Sequence, residues 1–249
     1  MFEDIPFAFV AFVNDHQPYP QLIKTTLESH RLFSKVPFIL YLVGDAKPEW
    51  FTPRPNLYIQ QIPKSVTFHS IFTFKPYILK DVISKGLRAG YYTEADDILT
   101  SHCDTIQEYL DQVTDLPLSP VHPNGTSFPI PQEYMEFIGA VEQTQPYCHT
   151  HGILFKDTCH RFMEEWLQKT QRVTGLNWDE SVLNCLLWKY ECTDYYLPIV
   201  YKQFHEYLDG TTLIPTYGAY KDPPISIHGS KDIQEALTIL GRLIEEAKR

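Results

Sequence analysis

Apolar residues fall into two kinds of pattern along the chain. The first is the short block. Residues 7–13 (Phe-Ala-Phe-Val-Ala-Phe-Val) and 38–43 (Phe-Ile-Leu-Tyr-Leu-Val) are continuous, and Pro6, Asn14-Asp15 and Gly44-Asp45 punctuate them. Blocks of this length between turn signals suit strands buried on both faces, as in a parallel sheet. Residues 57–62 read as a third strand and 89–93 as a fourth. The second pattern recurs at three- and four-residue spacing and predicts helices. It covers 20–33 (Leu22, Leu27, His30, Phe33) and 75–85 (Ile78, Leu79, Val82, Ile83), with Gly86 and Gly90 beyond as stop signals. It returns at 157–172 (Cys159, Phe162, Met163, Trp166, Leu167), 179–190 (Val182, Leu183, Leu186, Leu187, Tyr190) and 232–249 (Ile233, Leu237, Leu240, Ile244). Strand, helix and strand in alternation imply right-handed crossover units. The expected class is α/β, with a mostly parallel central sheet flanked by helices. Residues 116–131, rich in Pro, Ser, Gly and Asn, read as a loop inserted within one domain spanning 1–249. The apolar seam of 233–249 packs that last helix onto the body, or onto a second copy as a homodimer.

Composition narrows the partners. The chain has 249 residues, 43% of them apolar, enough for a sizeable core without staples. Its net charge is −10, and no Lys/Arg run exceeds two residues. A nucleic-acid binder needs a basic patch to displace counterions, so that class is set aside. Five cysteines, with no Cys-x-x-Cys pair, suggest reduced thiols. The acidic start lacks a signal-peptide pattern, and the longest apolar run, 5–13, is too short to span a bilayer. The expectation is a cytoplasmic protein with no integral membrane segment. Asn124-Gly125-Thr126 matches a glycosylation acceptor but reads here as a turn.

The candidate chemistry gathers after the fourth strand. Glu94, Asp96 and Asp97 come directly after the 89–93 strand with its Tyr91-Tyr92 pair. Open α/β sheets bind ligands at the carboxyl ends of their strands. Carboxylates at i and i+2 of an extended segment point the same way. Held close, they repel unless one is protonated or a cation lies between them. A hard divalent ion takes such oxygens together with substrate phosphates. A solvated acidic turn capping the next helix is the plainer alternative. Asp179 is likewise a natural N-cap for the helix that follows it.

Tyr92-Thr93-Glu94-Ala95-Asp96-Asp97-Ile98 resembles the acid-any-acid strand end of glycosyltransferases with the A-type nucleotide-sugar fold. The nearest likeness is to the family of glycogenin and bacterial lipopolysaccharide galactosyltransferases, with Glu94 where Asp is usual. Further segments match in order. Phe74-Lys75-Pro76-Tyr77-Ile78 resembles the helix start that precedes the acidic strand. His151-Gly152-Ile153 resembles the turn bordering the donor sugar, with Thr150-His151 departing from the usual Asn-Ser or Asn-Thr. Trp178-Asp179-Glu180-Ser181-Val182-Leu183-Asn184 resembles the helix start near donor and acceptor, with Glu180 in place of Gln. Ile227-His228-Gly229-Ser230-Lys231 resembles the late loop that supplies a metal ligand and a lysine.

The resemblance implies a Rossmann-like nucleotide-diphospho-sugar transferase. It implies hexosyl transfer from a nucleotide sugar, with UDP the commonest donor, to a carbohydrate or other hydroxyl acceptor, with retention of configuration. Mn²⁺ or Mg²⁺ would be held by Glu94, Asp96 and His228, with Asp97 as an alternative ligand. Phe12, Val13, Asn14, Lys75, Ala95, Gly152, Gly229 and Lys231 would line the donor site. Asp179 and Glu180 would stand at the reacting centre. Trp178 and Tyr195-Tyr196 could stack on sugars or belong to the core.

Other chemistries fit less well. Cys148-His149-Thr150-His151 has zinc-ligand residue types, but no second ligand pair follows at zinc spacing. Nothing near Cys103 or Cys148 marks an activated thiol. Gly-rich phosphate loops are absent, which argues against dinucleotide and P-loop enzymes. Residues 11–17 lack the Gly- and Arg-rich loop of sugar-phosphate nucleotidyltransferases. A nucleotide-sugar-binding protein without turnover remains the other alternative.

Overall fold

A computed structural model describes residues 1–123, 130–142, 146–173, 178–190, 196–211, 214–215 and 218–249. The Asn124-Gly125-Thr126 turn, Tyr195 and the Trp178 side chain lie outside the described residues. In chain order the elements are β1 (Ala8–Val13), α1 (Tyr19–Phe33), β2 (Phe38–Leu42), β3 (Leu57–Gln61), α2 (Phe74–Ser84), β4 (Ala89–Tyr92), β5 (Asp97–Leu99), α3 (Gln132–Ile138), β6 (Ile153–Lys156), α4 (His160–Thr170), α5 (Trp178–Lys189), β7 (Tyr201–Gln203), α6 (Phe204–Asp209), β8 (Ser226–His228) and α7 (Ile233–Glu246).

The larger sheet runs β3-β2-β1-β4-β6. Its first four strands are parallel and β6 runs antiparallel to β4. β1 lies at the centre, with Val10 between Ile39 of β2 and Tyr92 of β4. Phe9, Val10, Ala11, Ile39 and Leu40 are wholly buried, because helices cover both faces. Burying a Phe or Val side chain contributes about 1.5–3 kcal/mol. The continuous apolar blocks are thus the physical requirement of central parallel strands.

The smaller sheet runs β5-β8-β7. Asp97 of β5 stands opposite His228 of β8, which stands opposite Gln203 of β7. α7 covers this sheet. The Asp232 carboxylate caps it by accepting from the Gln234 and Glu235 N–H groups. Its buried stripe, Ala236, Ile239, Leu240 and Leu243, packs with Leu22 of α1, Ile98 and Ile227. Of the expected seam, Leu240 is buried in this cluster and Ile233 and Ile244 pack at its edge, whereas Leu237 is exposed.

Several expectations need adjusting. The region 157–172 opens as a 3₁₀ turn (Asp157–Cys159) before α4 begins. The 116–131 loop is partly structured, since Leu118, Pro120 and Val121 form isolated bridges to Leu154, Leu197 and Cys148. Three-residue strands and the short α3 and α6 escaped the pattern reading because they carry fewer than two full periods. No helix among the described residues is long and apolar enough to cross a membrane.

Candidate functional site

β1 and β4 end side by side, where the Thr93 N–H donates to the Val10 carbonyl at 2.9 Å. A cavity of about 320 Å³ opens at these carboxyl ends. Phe12, Val13, Asn14, Tyr19, Phe72, Lys75, Glu94, Ala95 and Asp96 are among the residues that line it. The carboxylates are brought together differently from the sequence expectation. Residues 95–96 form a tight turn rather than an extended strand, closed by Asp97 N–H on the Glu94 carbonyl at 3.2 Å. The Asp97 side chain locks that turn, since its Oδ2 accepts from the Glu94 N–H at 2.8 Å and from the Thr93 hydroxyl. Asp97 is fully buried, whereas the Glu94 side chain stays 27% exposed at the cleft.

Lys75 holds the floor of the cleft. Its buried ammonium lies 3.0 Å from Glu94 Oε1 and 3.0 Å from Asp179 Oδ2, and donates to Thr150 Oγ1 at 3.0 Å. Burial works against this charge, but Asp179 and then Glu94 outweigh it and hold the lysine pKa well above its ordinary value. Burial likewise opposes ionisation of Glu94, yet Lys75 and then His228 bring its pKa down to about 2. Asp179 is not a simple N-cap. It lies inside the first turn of α5, which begins at Trp178, and its carboxylate faces Lys75. Burial pushes the pKa of Asp179 up against the pull of Lys75.

Glu180 accepts from the Thr150 N–H at 3.1 Å, and burial raises its pKa too. Asn184, one turn on, clamps the same segment. Its Oδ1 accepts from Cys148 N–H at 2.7 Å and its Nδ2 donates to the Cys148 carbonyl at 2.8 Å. Two residues of α5 thus fix 148–150 against the cleft, which explains why an acid and an amide recur one helical turn apart. Gly152 follows that segment. A Cβ there would meet Tyr91 Oη at 2.0 Å, so close packing on β4 demands glycine.

The third wall is histidine-rich. His228 Nδ1 and His151 Nε2 lie 3.0 and 3.1 Å from Asp97 Oδ1. Burial disfavours charge on His228, but Asp96, Asp97 and Glu94 together raise its pKa to about 9. His151 and His149 are driven well below the ordinary value, first by burial and then by the neighbouring His228. Gly229 takes φ 97° directly after His228, a conformation open to glycine. Lys231 then reaches back to Asp96 Oδ2 and lies 5.2 Å from the Tyr19 ring centre. The Lys231 side chain is 55% exposed.

Glu94, Asp96 and His228 each bring one donor atom within 4.8 Å of the others. Asp96 Oδ1 is buried with no hydrogen-bond partner. Leaving a buried acceptor unmet costs about 1–3 kcal/mol. Two carboxylate oxygens and an imidazole, with one oxygen orphaned, fit a divalent ion such as Mn²⁺ or Mg²⁺. Asp97 turns inward as the turn lock, so the fit favours Glu94 as the second acid. Cys148 joins no ligand cluster among the described residues.

The structure therefore gathers Phe12, Val13, Asn14, Lys75, Glu94, Ala95 and Asp96 around one cavity, with Asp179 and Glu180 behind Lys75 and His228 and Lys231 beside Asp96. Gly152 and Gly229 are not among the residues lining the cavity; Gly152 packs on Tyr91 and Gly229 near Gln203. Pattern reading passed over Thr150 and His149 as parts of the site. Thr150 links Lys75 to Glu180, and His149 Nδ1 lies 3.0 Å from the Tyr201 hydroxyl. The alternation His149-Thr150-His151 was the available signal, since i and i+2 share a side of an extended segment.

A sheet of four parallel strands with an antiparallel neighbour, and an acidic turn at the end of the fourth strand, is the A-type nucleotide-diphospho-sugar transferase fold. Two solved structures share it. One is galactosyltransferase LgtC in complex with donor and acceptor sugar analogs, with a TM-score of 0.59 and 12% identity, covering 94% of this chain and 95% of that one. The other is LgtC carrying a glutamine-to-glutamate active-site mutation, with a TM-score of 0.59 and 13% identity over the same shares. At such identity the likeness is one of fold. No protein-family model and no curated sequence matches the chain.

Proposed function

We propose that this chain is a glycosyltransferase moving a sugar from a nucleotide diphosphate, with UDP the first donor base to test, to a hydroxyl acceptor. The observation that carries the reading is the cleft: Phe12, Tyr19 and Phe72 line it together with Lys75, Glu94 and Asp96, and His228 and Lys231 stand beside Asp96. Phe12, Tyr19 and Phe72 suit the flat face of a base, and Asn14 a ribose hydroxyl. Charge favours a cationic ligand as well. Glu94, Asp96, Asp97, Asp179 and Glu180 crowd a site whose cations are Lys75, Lys231 and His228.

Glu94, Asp96 and His228 would hold Mn²⁺ or Mg²⁺, and that ion supplies Lewis-acid stabilisation of the charge developing on the diphosphate. Lys231, half-exposed and held by Asp96 and the Tyr19 ring, would turn toward the leaving phosphates and neutralise them. Lys75 keeps Glu94 ionised and fixes Asp179 by its ion pair. Asp179 and Glu180, reached through Thr150, orient the sugar and acceptor. Retention follows if a leaving phosphate oxygen takes the acceptor proton, and NMR of the product's anomeric configuration tests it.

The function is tested by incubating the protein with UDP- and GDP-sugars and Mn²⁺ and measuring release of the nucleoside diphosphate. Release from at least one donor, lost in Asp96→Ala, is expected. A folded protein that releases none from any donor overturns the reading. A second reading, nucleotide-sugar binding without turnover, draws on one observation: Lys75 and Lys231 already pair Glu94 and Asp96. Binding without release in the same assay would select it.

A further inference from the structure

Asp97 has more to do than close a turn. Its Oδ2 is filled by the Glu94 N–H and the Thr93 hydroxyl. Its Oδ1 faces two imidazoles, His228 Nδ1 at 3.0 Å and His151 Nε2 at 3.1 Å. An ionised carboxylate only accepts, so each ring turns a protonated nitrogen toward it. For His228, one nitrogen is thereby committed and Nε2 is the atom left to ligate. Asp97 and His228 are also direct cross-strand partners of β5 and β8, so the backbone register fixes the pair.

Building on the metal reading above, we propose that Asp97 is a positioning residue that fixes the ring and tautomer of His228, leaving Nε2 to bind the divalent ion beside Glu94 and Asp96. Ligating histidines usually give their other N–H to a carboxylate or carbonyl, and loss of that partner costs 10–100-fold in metal affinity. His151 is the second donor that satisfies the same buried oxygen.

A rival arrangement puts the ion between Asp97, His151 and His228, whose donor atoms also cluster. Ring geometry weighs against it. The His151 and His228 ring centres lie 4.0 Å apart with planes at 35°, nearly stacked. Two imidazoles at neighbouring positions of one octahedral Mn²⁺ or Mg²⁺ ion, with metal–nitrogen bonds of about 2.1 Å, hold their ring centres roughly 4.6 Å apart.

The test is titration of Mn²⁺ into the full chain, read by loss of the free-ion EPR signal, for wild type, Asp97→Asn and His151→Phe. An asparagine at 97 must turn its oxygen to the Glu94 and Thr93 donors and its NH₂ to the histidines. That forces His228 Nδ1 to accept and puts the proton on Nε2. Asp97→Asn should weaken Mn²⁺ binding at least tenfold, and His151→Phe by less than about threefold. Equal losses in the two variants would move the ion to the rival site, and an unaffected Asp97→Asn would overturn the proposal. Histidine ¹⁵N spectra of the Mg²⁺-loaded wild type need no variant. They should show the His228 proton on Nδ1, and a proton on Nε2 would refute the assignment. Wild type that binds no Mn²⁺ would sink the metal reading itself, a result distinct from either failure above.

Discussion

The two sheets meet at the cleft but are held by different forces. Every residue of β1 is apolar, and its partners across β2 and β4 are mostly wholly buried. The smaller sheet instead lines up Asp97, His228 and Gln203 in one row, where Asp97 and His228 meet at the metal candidates and the Gln203 side chain caps α6. One sheet is a product of apolar burial, which tolerates exchange among residues of similar volume. The other depends on hydrogen-bond partners that must all be present, because a half-satisfied buried network is costly. Scaffold and chemistry are thus separable by substitution, and four predictions test the separation.

The largest effect belongs to the scaffold. Phe9→Ala, at the centre of the larger sheet, should lower unfolding free energy by about 3–5 kcal/mol in a denaturant melt. Surviving folded protein should keep its metal affinity. Next comes Asp96→Ala, which should cut donor turnover by about 10²–10³-fold, as loss of one charge-stabilising group does. Its denaturation midpoint should move less than that of Phe9→Ala. If the two variants swap effects, the division between sheets fails.

Gly152→Ala tests the junction. The new methyl meets Tyr91, so a loss of about 1–3 kcal/mol is expected from overpacking. Tyr91→Phe, which removes the hydroxyl nearest that methyl, should restore part of it. No loss in the single variant would mean the 150–152 segment is looser than the Asn184 clamp implies.

The fourth effect is in pH. His228 has a pKa raised from 6.5 to about 9 in the metal-free site. A group raised on folding stabilises fully below its unfolded value. That stability is lost as pH climbs through the folded one. The metal-free melting temperature should therefore fall between pH 6.5 and 9. Mn²⁺ must displace the His228 proton, so its affinity should rise by about tenfold per pH unit over the same range. Flat profiles in both would mean His228 neither carries that proton nor binds the ion.

Legibility in the sequence followed the same division. β1 and β2 were readable because strands buried on both faces require unbroken apolar runs. The helices were readable because α4 and α7 each carry a stripe at helical spacing. β5, β7 and β8 were not, since three residues are too few to show alternation, and what defines them is pairing between separate segments, β5 with β8 across 131 positions and β7 with β8 across 25 (Tyr201 to Ser226). Glu94, Asp96 and His228 were found through a motif resemblance. The role of Asp97 as a turn lock was hidden because an acidic residue reads the same whether it faces solvent or two buried imidazoles. Asp179 was split between cap and site, and only the approach of Lys75 from α2 distinguishes them.

The most direct test of the account is a calorimetric titration of UDP into the protein with and without Mn²⁺. The account predicts binding that requires the metal and disappears in Asp96→Ala. Equal binding without Mn²⁺, or none with it, would contradict the carboxylate–metal cleft on which the proposed function rests.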